Sequence, residues 1–147
     1  MGWLTPLYGK TVALDTAPLI YFMEKHPVFL PRVRPFFLAM AQGDFKVVTS
    51  ALTLTEALVH PIRHNNRKLA TTYRDILLNT DHLKTIPATD DVAETAARLR
   101  ARHDLRTPDA IQVATTIVAQ ADFFLTNDSR LSTVPYPTVL VLGTVES

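Results

Sequence analysis

Lys10-Thr11-Val12-Ala13-Leu14-Asp15 is the stretch on which the fold turns. Its apolar run reads as a buried strand. The acid that ends the strand stands just before a helix running through Leu19 to Lys25. Near the other end the pattern returns: Phe123-Phe124-Leu125-Thr126 is a strand, and Asn127-Asp128 follow it. Strands are also expected over about 45–49, where Val47 and Val48 lie, over 83–86 just before Pro87, and over 138–142.

Helices fill the intervals. One is predicted over about 31–42, with Phe36, Phe37, Leu38 and Met40 as its apolar cluster and Gly43 as its stop. Ser50 is placed to cap the next, which contains Thr55, Glu56, Ala57 and Leu58. Asn65 or Asn66 opens a helix to about Leu78. Thr89 caps one to about Arg102, and Thr107 caps another with Pro108 at its first position. Strands alternating with helices predict an α/β sandwich of three layers, a mostly parallel central sheet flanked by helices. The 147 residues are expected to form one domain, enough to bury roughly 68–70% of the unfolded surface.

Composition removes several classes of function. At 47% apolar and 20% charged residues the chain is of ordinary globular make-up,. It has no cysteine, which excludes disulfide scaffolds and thiolate metal sites and fits a reducing cytosol. No apolar run follows a basic start, so no signal peptide is expected. Charges and prolines cut every apolar stretch well short of the ~20 residues of a membrane span. The net charge of +1 is not the strong positive balance that marks many nucleic-acid binders. Basic residues do cluster, in one set of Arg32, Arg34, Arg63, Arg67, Lys68 and Arg74 and another of Arg98, Arg100, Arg102 and Arg106. Solvated helix faces explain such sets equally well.

Four acids stand out. Asp15 and Asp128 each follow a strand, and ligands in parallel α/β sheets sit beyond the carboxyl ends of the strands. Taken singly, Asp15 can be a helix cap, Asp128 a turn residue and Glu56 a surface side chain. Asp109, in Thr107-Pro108-Asp109-Ala110, can serve only the helix dipole. Yet the helix behind it carries Ala110, Val113, Ala114, Ile117 and Val118 at helical spacing, so its start is held at the mouth of the core. If the four meet, their repulsion is severe, about 4 kcal/mol for two charges ~4 Å apart at an effective dielectric near 20. Either their proton affinities rise or a cation neutralises them. An oxygen-only set selects a hard ion, magnesium or manganese rather than zinc.

Other chemistries lack their residues. His60 and His64 share a helix face, but the Glu of a zinc-protease motif is absent and Pro61 intervenes, so a solvated pair is expected. His26, His82 and His103 are scattered. A phosphate-transfer site with Asp15 as nucleophile would want an acid two residues on, and position 17 is Ala. A phospho-receiver would want an acidic pair near the first strand and a lysine after a later one. With four glycines in all there is no glycine-rich phosphate loop,.

The order and spacing of four blocks resemble the PIN-domain family, and within it the VapC-type toxins. These blocks are Val12-Ala13-Leu14-Asp15-Thr16, Thr55-Glu56-Ala57-Leu58, the run from His103 through Thr107-Pro108-Asp109-Ala110 to Thr115, and Phe124-Leu125-Thr126-Asn127-Asp128. The third is the most specific, and the likeness extends over nearly the whole chain. The resemblance implies a PIN fold and a magnesium- or manganese-dependent endoribonuclease. It puts Asp15, Glu56 and Asp109 on the family's three steadier acids. Asp128 falls on the fourth, whose position varies; many members carry Asn here and an acid a few residues on, but this chain has Arg130 and Leu131 there. Thr126 is implied as a support that hydrogen-bonds a carboxylate or a bound water. A homodimer, a small VapB-like antitoxin covering the site, and a cytoplasmic setting are also implied. Two other readings stand beside the toxin: an RNA-processing PIN nuclease, and a non-catalytic PIN module that binds RNA or protein.

Overall fold

In the computed structural model, which describes residues 2–145, five strands form one sheet. They are β1 (Thr11–Leu14), β2 (Lys46–Ser50), β3 (Leu83–Ile86), β4 (Phe123–Thr126) and β5 (Thr138–Val141). Their order is β3-β2-β1-β4-β5, and every pairing is parallel. Six helices surround them: α1 (Thr16–Met23), α2 (Leu30–Ala41), α3 (Ala51–Arg63), α4 (Arg67–Asn79), α5 (Asp90–Arg102) and α6 (Thr107–Val118). Short 3-10 turns occupy Gly2–Leu7, Ser129–Thr133 and Leu142–Thr144. Met1, Glu146 and Ser147, the ends of the expected 1–147 domain, lie outside the described residues.

Side chains alternate across a strand, and here the alternation sorts two cores. Val12 and Leu14 of β1, Val47 of β2 and Leu125 of β4 face one side, where Leu19, Phe36, Phe37, Tyr73 and Leu77 from α1, α2 and α4 pack. Ala13, Val48 and Phe124 face the other, against Val92, Ala96 and Leu99 of α5 and Ala110, Val113 and Ala114 of α6. The predicted three layers are therefore present, with the sheet in the middle. Among the described residues, no helix is long and apolar enough to cross a membrane.

The caps follow the sequence closely. Ser50 accepts the N–H of Leu52, Asn66 that of Leu69 and Thr89 that of Val92. Gly43, at φ +80°, ends α2 in the left-handed region that glycine enters without penalty. A Cβ there would also meet the His82 ring at 3.2 Å.

One cap differs from expectation. Arg106, with no side-chain cap bond, holds the cap position of α6, and Thr107 is already helical. The Thr107 hydroxyl oxygen instead accepts from the Arg100 guanidinium at 2.9 Å, while Arg100 Nε reaches the Leu105 carbonyl at 3.0 Å. A basic side chain from α5 thus ties down the turn, and the local cap is not needed.

Phe36 is fully buried and packs against Trp3, Phe37 and Phe45. Phe36→Ala is expected to lower unfolding free energy by about 3–5 kcal/mol in denaturant titration. A loss under about 1 kcal/mol would show that this side of the sheet is not closely packed.

A carboxylate cleft at the carboxyl end of the sheet

The sheet reverses direction of strand addition between β1 and β4, which is where open α/β sheets leave a crevice beyond their strand ends. Asp15 is the residue after β1, and its N–H donates to the Leu125 carbonyl of β4 at 2.9 Å. It is also the cap of α1, with Oδ1 accepting the Thr16 N–H at 2.8 Å. Its other oxygen accepts the hydroxyl of Thr126, the last residue of β4, at 2.7 Å. The capping reading and the strand-end reading are both correct for this one side chain.

The remaining acids arrive from three other elements. Glu56 projects from α3 and is exposed, but its Oε1 accepts the Thr16 hydroxyl at 2.6 Å. Asp109 sits in the first turn of α6 with 21% of its side chain exposed, and Arg106 lies 3.6 Å from it. Asp128 caps the 3-10 turn after β4 and accepts the Arg130 N–H, the turn role open to an Asx residue. All four line one cleft of about 400 Å³, together with Thr16, Tyr21, Thr126 and Asn127.

Their electrostatics differ. Burial pushes the Asp15 carboxyl above its ordinary value; the hydrogen bonds from Thr126 and Thr16 oppose that, and the nearby Glu56 and Asp109 charges add to it. At Asp128 the Arg130 guanidinium holds the carboxyl below the ordinary range, with Nε at 2.9 Å and 3.2 Å from its two oxygens. Sequence reasoning left Arg130 as a mere occupant of a place where relatives carry an acid. It is the ion-pair partner of Asp128.

The donor set is oxygen throughout, which suits a hard cation. Among the described residues no group of three or more His, Cys, Asp or Glu converges closely enough to enclose an ion. The acids ring the cleft rather than meeting at a point. Magnesium is commonly bound in this way, through one or two carboxylates with several waters retained.

The positions of the other singled-out residues are now clear. His60 and His64 meet edge to face at a ring separation of 4.3 Å, are exposed and do not line the cleft. His26 Nδ1 accepts the N–H groups of Val28 and Phe29. Arg32 is spent on the Leu142 and Gly143 carbonyls and Arg98 on Glu94, whereas Arg34, Arg63, Arg67, Lys68, Arg74 and Arg102 are solvent-facing. Three polar residues have no role assigned from the sequence. Thr16, Thr53 and Gln112 are buried and hydrogen-bonded to one another beneath Glu56. The available signal was a glutamine set among the buried Ala110, Val113 and Ala114 of α6.

The PIN domain family profile matches residues 12–135, which contain all four acids. The chain belongs to the PIN-domain family. No curated protein sequence matches it significantly. Solved structures with the same fold include VapBC2 from Rickettsia felis, bound to a promoter DNA fragment. It is 17% identical with a TM-score of 0.71, covering 89% of this chain and 98% of that one. The sarcin–ricin loop cleaving toxin VapC20 of Mycobacterium tuberculosis is 18% identical at a TM-score of 0.69, over 85% and 95%. A toxin–antitoxin complex from Klebsiella pneumoniae is 20% identical at 0.65, over 89% and 97%. At these identities the likeness establishes a shared PIN fold.

The raised proton affinity of Asp15 has a thermodynamic sign. Between the unfolded value and the higher folded one, the native PIN domain holds this proton and the unfolded chain does not. Stability from this group is therefore full at acid pH and declines as pH rises through the folded value. Asp15→Asn keeps a capping oxygen and removes the charge. In chelator at pH 7 it is expected to melt no lower than the parent, with the difference shrinking as pH falls toward the ordinary carboxylate range. A variant melting well below the parent at pH 7 would mean the two hydrogen bonds outweigh the cost of burial.

Proposed function

We propose that this PIN domain is a divalent-metal-dependent endoribonuclease, the toxin of a toxin–antitoxin pair. The observation that carries the reading is the cleft itself: four acids from four separate elements line it, around an Asp15 that burial and its neighbours both make costly to ionise. A cation is the simplest neutraliser of such a group. The reading is also supported by the fold, which this chain shares with a sarcin–ricin loop cleaving toxin and with a toxin–antitoxin complex.

In this reading Asp15 and Asp109 bind the ion directly, and Glu56 and Asp128 hold a second ion or ordered water. Magnesium or manganese bound there supplies Lewis acidity to a phosphoryl oxygen and an activated water. The chain's own residues do the rest. Thr126 holds one Asp15 oxygen and the Thr16 N–H the other, so that the carboxylate keeps one orientation. Arg130, aimed by Asp128, and Arg106, beside Asp109, give the rim of an acidic cleft two positive charges suited to a phosphate backbone. No serine, histidine or cysteine nucleophile is required.

The partners follow from the same reading. A small antitoxin would cover the acidic cleft, and its competition with RNA would be the control. A homodimer is proposed as well, and the exposed apolar side chains Val59 and Ile62 on α3 support a surface for a second copy.

The test is cleavage of structured RNAs by the purified chain with magnesium, manganese or chelator. Cutting should require metal, and Asp15→Asn and Asp109→Asn should each abolish it while remaining folded. Thr126→Val should lower the rate by roughly 10–100-fold, the usual effect of removing a ligand's hydrogen-bond partner. Metal-dependent cutting that survives Asp15→Asn would overturn the site assignment. No cutting and no metal binding would favour a PIN module that binds without catalysis.

A further inference from the structure

Beneath the cleft, a chain of hydrogen bonds runs from the end of β1 to Glu56 through four buried side chains: Thr49, Thr53, Gln112 and Thr16. The first three are at most 4% exposed and Thr16 is 8%. Buried hydroxyls can each donate one proton only, and that restriction fixes the direction of the whole chain.

The Thr49 hydroxyl lies 2.7 Å from the Leu14 carbonyl, which can only accept, so Thr49 donates there. Its contact with Thr53 at 2.9 Å must then be donated by Thr53. Gln112 Nε2 lies 3.0 Å from Thr53 Oγ1 and 3.3 Å from Thr16 Oγ1. An amide nitrogen only donates, so both hydroxyl oxygens receive from Gln112. The Thr16 proton is left with two acceptors in reach: Thr53 Oγ1 at 3.2 Å, which Gln112 already supplies, and Glu56 Oε1 at 2.6 Å. The shorter bond to a carboxylate wins, because charge-assisted bonds are about twice as strong as neutral ones.

We infer that Gln112 is a positioning residue that orients the Thr16 hydroxyl outward and thereby holds the Glu56 carboxylate in the cleft. Without its two protons Thr53 becomes a free buried acceptor, and the Thr16 hydroxyl turns inward to it. Glu56 is itself exposed, with no other side-chain hydrogen bond seen among the described residues, so it then leaves its place. Thr115 and Thr116, the buried polar neighbours on the same helix, do nothing comparable; each bonds back to a carbonyl of its own helix. This inference rests on the metal reading only for its consequence, since the placement of Glu56 can be read without metal.

The experiment uses the full chain and Gln112→Met, which keeps length and removes both donors, with Gln112→Leu as the second variant should the first not fold. Metal-free crystal structures should show Glu56 released from Thr16 in the variant. Free manganese counted by electron paramagnetic resonance should give roughly tenfold weaker binding to Gln112→Met. Thr16→Val should weaken binding similarly, and the double variant should be no worse than Thr16→Val alone, because the two act through one bond. A Thr16–Glu56 contact unchanged in Gln112→Met, or manganese losses that multiply in the double variant, would overturn the role. If the parent binds no manganese while Gln112→Met still releases Glu56, the positioning stands and the metal reading fails.

Discussion

The desolvated carboxylate of Asp15 is the constraint around which the rest of the molecule is arranged. It directly follows β1, the central strand of a parallel sheet, and it is half-buried among other acids. A charge in that place is costly unless it is hydrogen-bonded and neutralised. The fold supplies the hydrogen bonds at once, from a helix N-terminus on one side and from the end of β4 on the other. It also places Glu56 and Asp109 where their charges oppose ionisation. Protein groups thus orient the carboxylate and leave its charge uncompensated, and that combination calls for a cation.

Packing explains how the acids are brought together. Ala13 on β1 shares one buried core with Ala110 and Ala114 on α6, and small side chains such as these leave room for the helix to lie over the sheet. The first turn of α6, with Asp109, is thereby carried to the strand ends. On the opposite face the aromatic cluster of Phe22, Phe36, Phe37 and Phe45 fixes α1 and α2 against the sheet. At the start of α1, Asp15 is tied to Thr126 by their 2.7 Å hydrogen bond. Arg100 makes the same kind of contribution at the α5–α6 turn, fixing a loop that no local cap secures.

Much of this was legible in the sequence. All five strands and six helices were visible from apolar runs, turn residues and caps, since each is a local signal that the tertiary structure reinforces. The four acids were visible because order and spacing, rather than any one residue, mark the family. What escaped detection depended on contacts between distant segments. Thr107 reads as a cap, and a guanidinium from the preceding helix takes over that task. Arg130 looked incidental, yet it pairs with Asp128. Gln112 carries no signal of its own in the sequence, and its meaning appears only when Thr16 and Thr53, 96 and 59 positions away, are folded against it. The separation of the acids around the cleft, rather than at one point, was equally beyond the reach of spacing.

The central claim is that this cleft holds a divalent ion by way of Asp15. Crystals soaked in manganese and measured near its absorption edge test it most directly. The account predicts an anomalous peak within ligand distance of an Asp15 carboxylate oxygen, with ordered waters completing its shell. A well-occupied peak elsewhere on the protein, with the Asp15 cleft holding water alone, would contradict it.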